Sequence, residues 1–158
     1  MTDGACPSRR SLLETGFAAL AAALVLPELP AAEAEPAAAK ARLRPFDQVE
    51  PEKYPWGSIR WLMNGQIDTE AEMTLGLVHF EPNQVNTLHV HPNSAEFLHV
   101  LSGPSEHLID GRWVALKPGD TLRIPKGVPH QARSKDQPFS ALIVYDTPNR
   151  IMVPVTAK

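Results

Sequence analysis

"LHVHPNSAEFLHVLSG", residues 88–103, sets two histidines one residue apart and a glutamate five residues beyond the second. Three strong metal ligands stand in an otherwise apolar stretch, but their spacing is awkward. Side chains alternate faces along a strand, so His89 and His91 point the same way. His91 and Glu96 are an odd number of positions apart, so one unbroken strand would turn Glu96 to the opposite face. Pro92 follows His91 directly, and "PNS" (92–94) has turn composition: Pro presets φ and lacks an N–H, while Asn and Ser favour tight loops. The expectation is that the chain leaves one strand at His91, turns, and re-enters a second with Glu96 facing the histidines. Glu96, Leu98 and Val100 then share one face, and Phe97, His99 and Leu101 the other.

The surrounding chain reads as short strands divided by turns. "EMTLGLVHF" (72–80) is apolar on both parities, which predicts a strand covered on both sides. "VNTLHVH" (85–91) and "EFLHVLSG" (96–103) follow. "SEHLIDGRWVALK" (105–117) has Asp110-Gly111 at its centre, a strong hairpin signal. "KPGD" (117–120) carries Pro then Gly, as a type II turn demands. "TLRIP", "HQARS" and "FSALIVYD" complete the series, with "KDQP" as the last turn. No helix and no internal repeat is expected from Ile59 onward. Strands recurring about every ten residues argue for an all-β antiparallel sandwich or barrel.

The N-terminus is of another kind. "SRRSLLETGFAALAAALVLPELPAAEAEP" pairs Arg9 and Arg10 ahead of an apolar run from Phe17 to Leu26, then small residues around Ala32 and Ala34. That is the order of a secretory signal, and the paired arginines resemble a twin-arginine signal. Leu12 and Glu14 depart from that signal's usual Phe and Lys. The run is too short to span a bilayer. The expected organisation is a signal segment at 1–34, a Pro- and Ala-rich linker or N-terminal arm at 35–56, and one domain at 57–158. Cleavage would remove Cys6, the only cysteine, and leave an exported, periplasmic or secreted chain with no disulfide and no stable membrane anchor. With a formal charge of −3 and a pI near 6.0, the chain offers no electrostatic footprint for nucleic acid or an anionic membrane.

"HVHPNSAEFLHVLSG" resembles the first motif of the cupin superfamily: H-x-H, four residues, E, six residues, G. The second motif is similar to "GDTLRIPKGVPHQARS", with Gly119, Pro125, Gly127 and His130 at its spacing. Ser134 stands where the family closes on Asn. The resemblance covers roughly residues 70–147, with the motif region at 86–134, and is nearest the germin and small bacterial single-domain branch. It implies a jelly-roll barrel (a double-stranded β-helix), commonly paired into homodimers. It also implies His89, His91, Glu96 and His130 as ligands of one divalent transition metal ion, whether Fe, Mn, Zn, Ni or Cu. Three imidazoles and a carboxylate suit such an ion and leave coordination positions open, as catalysis needs.

Other residues carry weaker expectations. Asn86 lies three residues before His89, where germins often place a substrate-side Asn. Arg123, if it faces the barrel mouth, could hold a substrate carboxylate. Ala132 and Ser134 share the face of His130 and are small, which leaves space near the ion. His79 is expected in the core, His99 off the site and His107 exposed. Tyr54, Tyr145 and His79 are candidates for a general base by chemistry alone. The functional expectation is a metal-dependent enzyme, dioxygenase-like or another oxidoreductase or lyase, acting on a small oxygenated or carboxylated molecule. The alternative is a non-catalytic cupin that binds or senses a sugar or organic acid. Fold alone does not choose between them.

Overall fold

The computed structural model of the protein describes residues 42–156. The expected signal segment and the linker as far as residue 41 lie outside the described residues. Among the described residues, no helix is long and apolar enough to cross a membrane. A single 3₁₀ turn, Phe46–Gln48, precedes eleven strands. These are β1 (Glu52–Tyr54), β2 (Gly57–Met63), β3 (Thr74–Phe80), β4 (His89–Val90), β5 (Glu96–Ser102), β6 (Ser105–Ile109), β7 (Arg112–Leu116), β8 (Thr121–Ile124), β9 (His130–Arg133), β10 (Phe139–Tyr145) and β11 (Val153–Pro154).

All registered pairs are antiparallel, in two sheets ordered β1-β2-β3-β10-β5-β8 and β11-β4-β9-β6-β7. The expected all-β sandwich of jelly-roll type is the observed one. Turn chemistry fixes the connections. Asp110 and Gly111 have φ of 46° and 81°, the two positive values a type I′ hairpin demands, and β6 pairs β7 from Ile109 opposite Arg112. Gly119 has φ 91° and the Asp120 N–H donates to Lys117 O, as in a type II turn.

The six-stranded sheet supplies most of the core, including Ile59, Val78, Phe80, Leu98, Val100, Phe139, Ala141 and Ile143. A ladder of stacked rings runs Tyr54, Trp56, Phe80, Phe139, with centroids 4.8, 4.4 and 4.5 Å apart. The inner face of the five-stranded sheet is different: its buried residues are His89, Ser105, His107, His130 and Ala132. Four of those five are polar, so this barrel closes an apolar wall over a polar one.

Three expectations need correction. Of the expected linker or arm at 35–56, the part described, from residue 42, packs onto the domain: Val49 is buried, and Glu52–Tyr54 forms β1 against β2. β3 is not covered on both sides, because only Thr74, Gly76, Val78 and Phe80 are buried, while Leu75, Leu77 and His79 are half-exposed. Of 85–91, only His89–Val90 pairs as a strand, and Val85 makes an isolated bridge to Arg133.

Two glycines separate backbone sterics from conformation alone. A Cβ on Gly103 (φ 69°) would collide with the backbone carbonyl of Pro138, whereas one on Gly111 (φ 81°) would meet no atom within 4 Å. Gly111→Ala should therefore cost about 1–2 kcal/mol, the left-handed penalty. Gly103→Ala should cost more than that, because β5 and the start of β10 must also separate. Urea unfolding of both variants checks the order.

Candidate metal centre

The four residues implied as ligands come from both sheets. His89 and His130 are register partners on β4 and β9 in the five-stranded sheet. Glu96 opens β5 in the six-stranded sheet, between Tyr145 and Ile124. His91 lies in the segment that crosses between sheets, just before the turn at Pro92-Asn93. The phase problem in "HVHPNSAE" is thus resolved as expected in outcome, and by a larger movement than a turn within one sheet. The chain changes sheets, and Glu96 faces the histidines from the opposite wall.

All four side chains are buried, and their ligand atoms lie within 4.8 Å of one another. Glu96 Oε2 is 3.2 Å from His91 Nε2 and 3.1 Å from His130 Nε2. Each ring is fixed from behind. His89 Nδ1 lies 2.7 Å from Thr87 O, His91 Nδ1 2.7 Å from Ile151 O, and His130 Nδ1 2.8 Å from Val128 O. A carbonyl only accepts, so each Nδ1 carries the proton and each neutral ring turns an Nε2 lone pair inward.

With all three rings neutral the cluster presents three lone pairs and a carboxylate, all acceptors; a proton on His130 Nε2 lets it donate to Glu96 at 3.1 Å instead. His91 Nε2 is buried with no hydrogen-bond partner, a costly state for a polar atom. A divalent cation among the four removes both problems, so the residues fit such an ion and could hold it.

The charge balance points the same way. Burial, then the neighbouring His130, lowers His89 to about 4. Burial alone would raise Glu96, but the His130 and His91 rings facing it outweigh that and hold the carboxyl well below the usual range. Burial also opposes charge on His130, yet the adjacent Glu96 carboxylate raises it overall.

The cluster opens onto a cavity of about 140 Å³, lined by His89, Glu96 and His130 among others. Its apolar wall includes Trp56, Ile59, Val78, Phe80, Leu98 and Ile143. Asn86 lines it as expected, but its side-chain oxygen accepts from the Ala132 N–H at 2.8 Å. Ala132 lines it too. Ser134 does not; its hydroxyl binds the 81–84 loop, accepting from Gln84 N–H at 3.0 Å.

Arg123 is a correction: it pairs with Phe97 on the outer face of the sheet and stacks over that ring at 5.8 Å. Parity decides this, since Ile124 beside it points inward. His79 is also on an outer face, bound to Ser140 Oγ at 2.9 Å. Of the three base candidates, Tyr54 and Tyr145 line the cavity and His79 does not. Burial, then the Glu96 charge, raises Tyr145 well above the ordinary phenol range.

His107 is the second correction. Expected exposed, it is 2% exposed, lines the cavity, and sits 3.1 Å from Ser105 Oγ. The sequence could not choose its face, because Leu108-Ile109 and Trp113-Val114 are apolar on both parities. Arg150 and Met152 also line the cavity, and no motif marked them.

The family description "Cupin domain" matches residues 76–145. Among solved structures, the chain is similar to an oxalate decarboxylase from Lactobacillus farciminis in a formate complex, at TM-score 0.64 and 19% identity, over 69% of this chain and 34% of that one. It is similar to the S161A mutant of the Bacillus subtilis oxalate decarboxylase at TM-score 0.61 and 23% identity, over 67% of this chain and 30% of that one. The chain thus spans about a third of the length of those decarboxylases, and at such identity the likeness shows the fold. No curated protein matches the sequence at a significant level.

Burial lowers the His107 imidazole to about 4, while the unfolded chain titrates near 6.5. Between those values the unfolded state binds the proton and the folded state does not. Stability from this group is therefore complete above pH 6.5 and is lost as pH falls toward 4, by about 3 kcal/mol. Denaturant midpoints of metal-free protein at pH 4.5 and 7 should show this slope added to that of His89, and His107→Leu should remove the His107 share of it.

Proposed function

We propose that the chain, whose residues 76–145 match the family description "Cupin domain", is a metal-dependent enzyme acting on a small molecule with an oxygen donor at one end and an apolar body. The observation that carries this reading is the direction in which the cluster opens. Three of the four candidate ligands line a cavity, so a bound ion would keep positions for a ligand on that side, as a catalytic site does and a closed structural site does not. When bound, the ion supplies Lewis acidity and, if it is iron or manganese, redox chemistry.

The remaining roles belong to this chain's side chains. Glu96 offsets part of the cation's charge, and the backbone-tethered histidines fix its position. Tyr145 keeps its proton at neutral pH and can donate it in a hydrogen bond to a ligand oxygen. Trp56, Phe80, Leu98 and Ile143 exclude water and favour a hydrocarbon or aromatic body. That wall offers little to oxalate, the small dianion in the names of the similar decarboxylases, which has no apolar body to bury against it. Phenolic and other oxygenated organic compounds are the better class.

The expected result is one divalent ion per chain, with uptake or consumption of an oxygenated substrate that depends on it. Pairing metal analysis with an oxygen electrode and a panel of phenols and hydroxy acids tests this. The double variant His91→Ala, Glu96→Ala should lose both ion and turnover. Retention of stoichiometric metal by that variant would refute the site, and metal-dependent binding without consumption would leave a ligand-binding cupin.

Export belongs to the same reading, supported by Arg9-Arg10 and the apolar run that follows. Sequencing the N-terminus of protein recovered outside the cytoplasm should find a start just after residue 34. A chain retained inside with Met1 intact would contradict it.

A further inference from the structure

Arg150 lines both the metal-side cavity and an outer groove bounded by Glu52, Trp61, Asn64 and Asn149. It therefore stands where the two meet. Its guanidinium lies over two rings, 4.8 Å from the Trp61 centroid and 5.2 Å from that of Tyr145. Among the described residues it forms no ion pair, whereas Arg42, Lys117, Arg133 and Lys135 each have a carboxylate partner. An arginine held by aromatic faces keeps its N–H edges free for a ligand.

The backbone on both sides of Arg150 is tied to the metal-bearing loop. Asn93, two residues past His91, donates from Nδ2 to Asn149 O at 2.7 Å and accepts from the Ile151 N–H at 3.0 Å. His91 in turn binds Ile151 O through Nδ1. One short segment thus holds a candidate ligand and presents the arginine beside it, so the two are placed relative to each other before any ligand arrives.

Charge argues for the kind of ligand. Glu96 is the single carboxylate lining the cavity. A divalent ion on Glu96 and neutral histidines leaves one net positive charge, and Arg150 adds another. Most of the remaining cavity lining is apolar or aromatic, including Trp56, Val78, Phe80, Leu98 and Ile143.

We propose that Arg150 is the specificity-determining residue of this site and that it takes the carboxylate of a substrate whose oxygen donor, at the other end of an apolar or aromatic body, meets the His89–His91–Glu96–His130 cluster. A planar guanidinium fork matches a carboxylate through two parallel N–H donors. The substrate class narrows from oxygenated organic compounds to hydroxylated organic acids. This inference rests on the metal-centred reading of the cavity given above.

The test compares 3,4-dihydroxybenzoate with its neutral isostere 3,4-dihydroxybenzamide. Both are titrated by calorimetry into the zinc-loaded full chain and into Arg150→Gln and Arg150→Lys, each matched for metal content and melting temperature. In the native chain the acid should bind about ten- to a hundredfold more tightly than the amide, the range for charge-assisted hydrogen bonds. That ratio should collapse toward one in Arg150→Gln. In Arg150→Lys it should be intermediate, because charge stays and the fork is lost. If Arg150→Gln does not fold, a reduced ratio in Arg150→Lys supports the assignment by itself, and an unchanged one overturns it. An acid preference that persists in the variants while both ligands still require zinc overturns the role of Arg150 and leaves the metal-centred reading standing. If neither ligand binds the zinc-loaded chain, that reading fails and the assignment of Arg150 fails with it.

Discussion

Three imidazole Nε2 atoms and one carboxylate are pressed into the same buried volume, and the rest of the barrel is arranged around that constraint. Such a cluster is repulsive when dry. It persists because each ring is anchored from behind by a backbone carbonyl, at Thr87, Val128 and Ile151, so each Nε2 stays directed into the shared volume. The tethers convert three flexible side chains into fixed, inward-facing groups that could hold a metal ion.

The division of labour between the sheets follows from this. The six-stranded sheet carries most of the apolar core, and its aromatic ladder from Tyr54 to Phe139 supplies rigidity. The five-stranded sheet gives up hydrophobic burial on its inner face to hold His89, His107 and His130. Those polar groups contribute less to folding than the leucines or valines they displace. The C-terminal segment compensates in part: β11 pairs with β4, Val155 N–H donates to Leu88 O, and Asn93 bonds both flanks of Arg150. The same contacts that stabilise the weaker sheet place the cation at the cavity edge.

Much of this was legible from turn chemistry. Asp110-Gly111 can adopt two positive φ values with little steric cost, and Pro118-Gly119 joins a preset negative φ to a positive one, so their hairpin and turn appear where the sequence puts them. His89, His91, Glu96 and His130 were identified by the spacing of two motifs, and the structure brings all four together. The errors share one cause. His107 and His79 sit in strands that are apolar on both parities, so alternation gave no inward direction. His107 was expected outside and lies within; His79 was expected in the core and lies outside. Arg123 was chosen for its charge and nearness to the second motif, yet strand parity turns it onto Phe97.

By itself, the sequence determined the strand-and-turn architecture and the identity of the four convergent side chains. Local backbone preferences fix turns, and a short H-x-H spacing survives any tertiary arrangement. Only the tertiary structure decided that Glu96 reaches the histidines by crossing to the other sheet, that His107 lines the cavity, and that Arg150 stands at its edge. Each depends on which strands lie opposite each other. Arg150 is 61 residues from His89 along the chain, and only the return of the C-terminal strand to β4 makes them neighbours.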